Sequence, residues 1–358
     1  MFPPPDFLRM PISGIDISDE SVHVAELENT SNGRIVKKYH KQFLPKGLVE
    51  SGRIKDASRL KKIFTQIRKD YKLQFVNVSL PEQHGYVVVM HVPTMKLNEI
   101  YGSIELQLED QVPILAKDAV LAYDIIQNNK PQKPEEKVAF MELNVSVYPK
   151  DIIYEYINIF KDTGLIPLRF EIEAHAVARS IVPKGDKGTF MVLDFGKTRT
   201  GITIVSREAV QFTSTINLGG DTLTKAIARV YSIEFKEAEK LKKEKGFLVG
   251  DGDQKILLAL MPTISALTSE ISKHYQYWDM HNDSFGRKRP KIESLLLCGG
   301  LANLTGFPDY LSSNLHTDVR VANVFENINS FENYIPDISF KNSLQYATSI
   351  GLALSSNR

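Results

Sequence analysis

Apolar and polar positions along this chain follow two periods in turn, which predicts strands alternating with amphipathic helices. Apolar residues three or four positions apart predict a helix over 53–71 and a long helix over 256–277. The sequence also predicts a heavily charged helix over 232–246 and a polar loop over 128–137. Short apolar runs predict strands at 34–43 and 75–80. The alternation continues through both halves of the chain and predicts an α/β protein.

Two segments about half a chain apart, 14–24 and 193–205, share one pattern. Each has an apolar strand, an Asp at the strand end, a tight turn of small and hydroxyl residues, and a second apolar strand. Such a turn lets main-chain N–H groups approach an anion, and the Asp can hold a hydrated divalent cation. An ordinary hairpin with a turn-capping Asp would also give this pattern once. Its repetition favours two similar domains that grip a nucleotide from both sides.

A third motif follows an apolar strand predicted at 292–298. The strand runs into Gly299-Gly300, and a helix is predicted after it through Leu311. Glycines at such a turn allow the main chain to lie against a flat ring and its ribose.

In this order, the two hairpins and the Gly-Gly turn resemble the two phosphate motifs and the adenosine motif of the actin-like ATPase superfamily. Segments 173–178 and 346–353 resemble its two connecting helices. The resemblance covers essentially the whole chain. It implies the actin-like ATPase (ribonuclease H-like) fold, with two similar domains around a cleft that binds ATP or ADP with Mg²⁺.

From Gln83 the predicted elements follow the order β-α-β-β-α-β as far as Ile172, which predicts a small subdomain inserted in the first half. An insertion of this order at this place resembles the FtsA and PilM branch of the superfamily. The expected spans are 1–82 for the N-terminal part of the first domain, 83–168 for the inserted subdomain, 169–188 for the connecting helix, 189–340 for the second domain with an outer subdomain at about 236–291, and 341–358 for the closing helix.

Two segments, 141–150 and 219–242, resemble the PilM family of type IV pilus assembly. The first has Tyr-Pro-Lys ahead of a helix, and the second has a Gly-Gly turn, a Thr-rich helix and an Ala-Glu-x-x-Lys stretch. FtsA ends in a basic amphipathic membrane helix. Here the sequence stops shortly after the second connecting helix, which favours PilM.

The PilM resemblance implies a scaffold that binds the cytoplasmic N-terminal peptide of a PilN-like inner-membrane protein and meets other proteins of the assembly platform. The peptide groove would lie between the inserted subdomain and the first domain, lined by the inserted strands and the helix over 97–111. The chain would sit at the cytoplasmic face of the inner membrane through that partner. A related role in type II secretion, an FtsA-like filament protein with self-association, and a small-molecule kinase remain as alternatives.

The resemblance also implies the site residues. Asp16 and Asp194 would hold Mg²⁺ through water. The residues expected at the phosphates are Ser18, Ser21, His23, Gly196, Lys197, Thr198 and Thr200. Those expected to line the adenosine pocket are Gly219, Gly220, Gly299, Gly300, Leu301 and Ala302. Glu239 and Lys242 would reach the ribose or adenine edge or lie on a solvated helix face, and Glu173 would order an attacking water.

Departures from the family pattern cluster in the first hairpin. His23 stands where related chains usually carry Lys, Ser18 stands where a Gly is usual, and Asp19 and Glu20 add negative charge. A neutral imidazole is a weaker phosphate partner than an ammonium, and the carboxylates repel a triphosphate unless they point to solvent or bind the cation. We therefore expect slow hydrolysis at most.

Composition agrees with a soluble globular protein, since 42% of residues are hydrophobic and 24% are charged. The net charge of +1 gives no electrostatic footprint for nucleic acid. The single cysteine, Cys298, cannot form a disulfide framework, which favours a reducing, cytoplasmic compartment. There is no apolar run long enough to span a bilayer, and residues 1–12, with three consecutive prolines, predict an extended arm rather than a signal peptide.

Overall fold

The computed structural model describes residues 11–31, 33–129, 140–247, 254–283, 286–330 and 332–355. Most of the predicted extended arm and of the polar loop predicted at 128–137 lies outside these ranges. The chain divides into two compact units. The first comprises the residues up to Val177, Ala209–Thr213 and the residues from Thr348 onward, and the second comprises Ala178–Glu208 and Ser214–Ala347.

The elements alternate as the sequence predicts. Those of the first half are β1 (Ile12–Ile17), β2 (Ser21–Thr30), β3 (Gly33–Phe43), β4 (Val49–Glu50), β5 (Arg53–Ile54), α1 (Ala57–Tyr71), β6 (Phe75–Leu80), β7 (Tyr86–Pro93), α2 (Leu97–Gln111), β8 (Ala119–Asn129), β9 (Phe140–Pro149), α3 (Lys150–Phe160), β10 (Ile166–Ile172) and α4 (Glu173–Ile181). Those of the second half are β11 (Thr189–Phe195), β12 (Thr200–Ser206), β13 (Ala209–Ile216), α5 (Gly220–Tyr231), α6 (Phe235–Lys245), α7 (Gln254–Met280), β14 (Ser294–Cys298), α8 (Phe307–Leu315), β15 (Asp318–Val321), α9 (Phe340–Ser343) and α10 (Ala347–Leu354).

The first unit is built on a five-stranded sheet with the order β10-β6-β1-β2-β3. Strand β1 is antiparallel to β2 and parallel to β6, and β6 is parallel to β10. Helix α1 buries Leu60, Phe64 and Ile67, and the ring of Phe64 stacks on Phe160 of α3 with centroids 5.0 Å apart. The helix starts later than predicted because Asp56 caps it, accepting the Arg59 N–H at 2.9 Å.

Helix α10 closes the first unit by packing between β1 and α4. A Cβ atom on Gly14 would lie 1.9 Å from the Ser349 carbonyl oxygen, and one on Gly351 would lie 1.8 Å from that of Ala176. Only glycine permits such close main-chain approach. The amide of Asn77, on β6, donates to the Leu352 carbonyl at 3.1 Å.

The inserted region forms a three-stranded antiparallel sheet with the order β7-β9-β8. Helix α2 covers this sheet through the buried side chains of Ile100, Ile104 and Leu108.

The prediction that all six elements from β7 to β10 form one separate subdomain is wrong in its last two members. Strand β10 pairs with β6 in the main sheet, and α3 packs on α1 through the Phe64 and Phe160 rings. The order of elements was right, but the order alone cannot tell which sheet a strand joins.

The second unit repeats the pattern of the first. A second five-stranded sheet has the order β13-β12-β11-β14-β15, and β11 is antiparallel to β12 and parallel to β14, as β1 is to β2 and β6. The prediction of two similar halves, each with an antiparallel hairpin that carries an Asp, is confirmed.

Two predicted helix bounds in the second unit are corrected. The helix predicted at 232–246 begins at Phe235, because Ser232 has a φ of 54° and ends α5 in the left-handed conformation. Helix α7 extends beyond the predicted 256–277 at both ends. Among the helices in the described ranges, none is both long and apolar enough to cross a membrane.

Candidate functional site

In the first unit, Asp16 lies at the end of β1 and is nearly buried. Its Oδ1 atom accepts the Ser79 hydroxyl at 2.8 Å, and its Oδ2 atom lies 3.6 Å from Nδ1 of His23. Asp16 and His23 are direct partners across the β1–β2 hairpin. Asp16 therefore does not cap the turn, and its carboxylate is held on the sheet by groups from both neighbouring strands.

The turn between β1 and β2 is closed by serine hydroxyls. Ser18 N–H donates to the Ser21 carbonyl at 2.9 Å, and Ser21 N–H donates to the Ser18 hydroxyl at 3.1 Å. The two hydroxyl oxygens are 3.2 Å apart. Ser18 and Ser21, which the sequence predicts to contact phosphate, therefore also stabilise the turn itself.

The carboxylate of Asp19 is used within the first unit. Its Oδ1 atom accepts the Gly52 N–H at 2.9 Å, which ties the hairpin to the turn between β4 and β5. Neither sequence expectation for Asp19, exposure to solvent or cation binding, describes this contact. The bond anchors one of the two acidic residues that were expected to repel a phosphate.

Ser79 is the site residue that the sequence reasoning missed. It is the penultimate residue of β6, the parallel neighbour of β1, and its hydroxyl accepts the Ile17 N–H at 3.2 Å besides donating to Asp16. The available signal was a hydroxyl residue at the carboxyl end of a strand adjacent to the Asp strand.

In the second unit, the turn after β11 is held against the start of α5. Gly220 N–H donates to the Gly196 carbonyl at 3.1 Å, and Asp221 N–H donates to that of Lys197 at 2.8 Å. A Cβ atom on Gly219 would lie 2.6 Å from the main chain of Thr198. The side chains of Lys197 and Thr198 are exposed. The turn and the N-terminus of α5 are therefore held together, because the first two N–H groups of the helix donate to carbonyls of the turn.

The Gly-Gly turn lies beside the Asp of the same unit. Gly299 has a φ of 85°, and a Cβ atom there would lie 2.3 Å from Oδ1 of Asp194. Leu301 N–H donates to the Phe195 carbonyl at 3.2 Å, and the Leu301 side chain occupies the space next to Gly220. The structure thus brings the turn after β11 and the Gly-Gly turn together around the end of β11.

Gly300 and Ala302, two other residues of the predicted adenosine pocket, differ in their surroundings. Gly300 is exposed, with no atom within 4 Å of the position of a Cβ. Ala302 is fully buried, and its N–H donates to the Gly299 carbonyl at 3.2 Å.

Thr200 does not lie on the surface of the turn. It is buried in β12, and its hydroxyl donates to the Leu218 carbonyl at 2.7 Å. The expectation that it contacts phosphate is corrected: it supports the segment that leads to Gly219.

Lys242 is buried, so the alternative of a solvated helix face is wrong for this residue. Its ammonium donates to the Gly220 carbonyl at 2.9 Å and to the Thr224 hydroxyl at 2.7 Å. Burial lowers the pKa of Lys242 to about 8, and the charges of Glu239 and Asp221 offset this only in part.

Glu239 differs from Lys242 in that its side chain is only partly buried and forms an ion pair with Lys243 at 2.9 Å. Burial raises the pKa of Glu239, but the hydrogen bond from Lys243 and the charges of Lys243 and Lys242 outweigh it, so the net pKa is lowered.

Glu173 opens α4 in the first unit and is partly buried. Burial, and then the charges of Glu173 and Glu82, raise the pKa of the Tyr148 phenol well above its usual value. The Tyr148 hydroxyl donates to the Leu80 and Pro81 carbonyls, both at 3.2 Å. Glu173 therefore contributes to the electrostatics at the carboxyl end of β6.

The described part of the chain contains no group of three or more His, Cys, Asp or Glu side chains that would ligate a metal directly. A cation at these hairpins would take its protein contacts from single carboxylates, with water or phosphate oxygens completing the shell.

Comparisons with known proteins give both a family and a fold. The family model described as "Type IV pilus assembly protein PilM" matches residues 14–357. A 96-residue segment is 31% identical to the cell division protein FtsA of Enterococcus hirae, a match that spans 26% of this chain and 22% of FtsA.

Solved structures show the fold. A PilM-PilN type IV pilus biogenesis complex is similar with a TM-score of 0.80 at 18% identity, over 98% of this chain and 99% of that chain. EutJ from Carboxydothermus hydrogenoformans has a TM-score of 0.55 at 17% identity, over 99% and 90%. MreB5 of Spiroplasma citri bound to ADP has a TM-score of 0.56 at 13% identity, over 98% and 96%. These likenesses confirm the predicted actin-like ATPase fold.

The family match agrees with the geometry of both hairpins and of the Gly-Gly turn, and it extends over nearly the whole sequence. The chain therefore belongs to the PilM family of type IV pilus assembly proteins.

Proposed function

We propose that this protein is a nucleotide-binding scaffold of type IV pilus assembly that binds the N-terminal peptide of a PilN-like inner-membrane protein. The family assignment and the similarity to a PilM-PilN complex support the partner. The similarity to an ADP-bound MreB supports the nucleotide.

The observation that carries the nucleotide proposal is the cluster around Asp194. The turn after β11, the N-terminus of α5 and Gly299 all lie at the end of β11, so a helix N-terminus, a carboxylate and glycine turns are in one place. Anionic phosphates suit a helix N-terminus and a small-residue turn. The Asp194 carboxylate, and Asp16 in the first unit, would hold hydrated Mg²⁺.

The nucleotide proposal is tested by calorimetry and thermal shift with Mg-ADP and Mg-ATP. Asp194→Asn should weaken binding at least about tenfold without lowering the melting temperature, because a strand-end carboxylate packs little of the core. Asp337→Asn is the matched control, since Asp337 is exposed in a loop. No heat and no thermal shift at millimolar nucleotide would remove this part of the proposal.

The observation that supports peptide binding is the inserted sheet. Within the described residues, its outer strands β7 and β8 each have one edge without a strand partner. Leu97 and Tyr101 of α2 are 68% and 46% exposed, and Val120 and Ile125 of β8 are also exposed. An extended peptide gains main-chain hydrogen bonds at such an edge and side-chain contacts beside it, with affinity of roughly micromolar order.

The peptide proposal is tested by titrating a PilN-like N-terminal peptide. The double variant Leu97→Asp/Tyr101→Asp should lose binding while keeping Mg-nucleotide binding. Leu258→Asp is the matched control, because Leu258 is 72% exposed on α7 in the second unit. Equal losses in both variants, or no binding by the parent protein, would contradict the proposal.

Deleting the predicted inserted subdomain, 83–168, would be a less specific test of peptide binding, because the deletion would also disturb the main sheet of the first unit. Removing 83–168 would also remove α3, whose Asp151 pairs with Arg53 at 2.7 Å, and part of β10. Point variants on α2 leave the main sheet intact and are the sharper test.

Recruitment to the membrane is proposed to depend on the partner. In cells that lack the PilN-like protein, the chain should leave the membrane fraction after a high-salt wash. Retention after that wash would indicate an additional, stronger attachment.

A further inference from the structure

Charge is distributed very unevenly along this chain. Residues 33–72 contain thirteen Lys and Arg against three Asp and Glu, a net charge of +10, although the whole chain has a net charge of only +1. Much of this charge lies on or next to α1.

The cations of α1 are arranged by its helical period. Leu60, Phe64 and Ile67 face the core, so positions 59, 62 and 69 fall on the opposite side. We use the name α1 stripe for the five exposed cations along this helix and its ends, which are Lys55, Arg59, Lys62, Lys69 and Lys72.

Carboxylates in the described residues neutralise the cations beside the α1 stripe rather than those in it. Arg53 pairs with Asp151 at 2.7 Å and also with Glu155, and Lys61 lies 4.0 Å from Asp162. These pairs use the carboxylates of α3 and of the turn after it.

The two acidic residues of α1 itself are occupied in other ways. Asp56 accepts the Arg59 N–H at the helix start, and Asp70 accepts the Gln66 amide at 2.7 Å. In the described part of the chain, no carboxylate forms an ion pair with a member of the α1 stripe.

The shape of the α1 stripe indicates the kind of partner. Its cations follow one side of a single helix about 22 Å long, which is a convex ridge without a groove for a peptide. The aromatic residue at its end, Tyr71, is not available for base stacking, because its hydroxyl lies 2.6 Å from Nδ1 of His40 and the two rings stack at 4.3 Å. Four of the five cations are lysines, which act as point charges without the planar fork of arginine.

We propose that the α1 stripe binds the anionic headgroups of a phospholipid bilayer. Exposed basic clusters gain favourable energy near an anionic membrane for each Lys or Arg, and the attraction falls off within a Debye length. The interaction is electrostatic, weak and peripheral, and it inserts no apolar residue. It goes beyond the proposed function: a partner peptide would determine where the chain docks, and the α1 stripe would determine which face turns to the membrane.

The test is co-sedimentation of the full chain with vesicles that contain no protein. Vesicles of phosphatidylcholine with about one-third phosphatidylglycerol should bind the chain at low salt, and pure phosphatidylcholine vesicles should not. Lys62→Gln/Lys69→Gln should lower the apparent affinity roughly 25-fold, or about fivefold for each lysine. Salt near 1 M, where the Debye length is about 3 Å, should abolish binding.

A matched control keeps the change in net charge constant. Lys225 and Lys236 are exposed on α5 and α6 of the second unit, and Lys225→Gln/Lys236→Gln should bind vesicles like the parent. Unchanged melting temperatures show that both double variants remain folded. Because the vesicles contain neither nucleotide nor peptide, failure here leaves the proposed function untouched.

Three outcomes would overturn the proposal: equal loss of binding in both double variants, equal binding to the two vesicle compositions, or binding that survives 1 M salt. A fourth outcome would show that the α1 stripe binds nucleic acid instead of lipid. If fluorescence anisotropy detects tight binding to a short DNA duplex that depends on Lys62 and Lys69, and vesicles bind weakly, the α1 stripe is a nucleic-acid surface.

Discussion

The ammonium of Lys242 donates a hydrogen bond to the carbonyl oxygen of Gly220 across 2.9 Å. This bond joins α6 to the first turn of α5, whose preceding residue Gly219 contacts the turn after β11. A buried charge therefore holds the N-terminus of α5 in position beside a proposed anion site. Because burial costs the charged form, the contact should be sensitive to pH.

Stability should rise with pH between about 8 and 10.5 because of Lys242. Its folded pKa is about 8, below the reference value of 10.5, so the unfolded chain binds more protons within this window. The unfolding free energy of the parent, relative to Lys242→Met, should increase by about 2 kcal/mol from pH 7.5 to pH 10. Urea denaturation of both proteins at several pH values measures the difference, which cancels the titration of shared groups. A flat or falling difference would show that Lys242 titrates as if exposed.

Gly219→Ala should disturb the phosphate turn. The added Cβ would lie 2.6 Å from the main chain of Thr198 and Arg199, and neither can move away cheaply. We expect a loss of about 1–3 kcal/mol in unfolding free energy and weaker nucleotide binding.

Gly300→Ala provides the matched glycine control for that experiment. No atom lies within 4 Å of its Cβ position, so stability should change by less than about 0.5 kcal/mol. If Gly300→Ala weakens nucleotide binding nevertheless, the main chain at Gly300 approaches the ligand. An equal loss of stability in the two variants would contradict the assignment of Gly219.

Asn144→Leu should destabilise the first unit. The buried Asn144 amide donates to the Val210 carbonyl, and its carbonyl oxygen lies 3.0 Å from Nε2 of His175, so leucine leaves two buried groups without this partner. We expect a loss of about 2–4 kcal/mol. Asn158→Leu, at an exposed position of α3, should change stability by less than about 0.5 kcal/mol. Chemical denaturation compares the two variants, and similar small effects would mean that water replaces the amide.

Hydrolysis of ATP should be slow, on the order of one turnover per minute or less, against a typical enzyme rate near 10 per second. The reasons are His23 in place of an ammonium and the acidic pair Asp19 and Glu20 in the first hairpin. A steady-state phosphate-release assay measures the rate, and Glu173→Gln tests whether Glu173 contributes to it. Several turnovers per second would restore the small-molecule kinase alternative.

The fold could be predicted from the sequence because its signals are local and repeated. Strand, Asp, small-residue turn and strand occur twice, and the resulting hairpins pair as expected. Which sheet a strand joins depends on long-range packing. The rings of Phe64, Phe160 and Phe170 pack α1, α3 and β10 together. The local sequence around β10 does not predict this packing.

The site was predictable in its outline and less so in its contacts. Asp16 and Asp194 lie at strand ends as the pattern indicates. The burial of Lys242 and the use of the Thr200 hydroxyl depend on Gly220 and Leu218, whose positions are fixed by tertiary structure. Sequence spacing places such residues near one another but does not determine which polar group each one satisfies.

The fit of α10 against Gly14 has a consequence for the order in which the protein is made. Strand β1 is synthesised before the second unit and α10 after nearly all of it, yet the core of the first unit needs both. The second unit has nearly all its residues available before α10 is synthesised. During translation the earlier half of the chain must therefore wait, with its central sheet incompletely covered, while the later half can already fold.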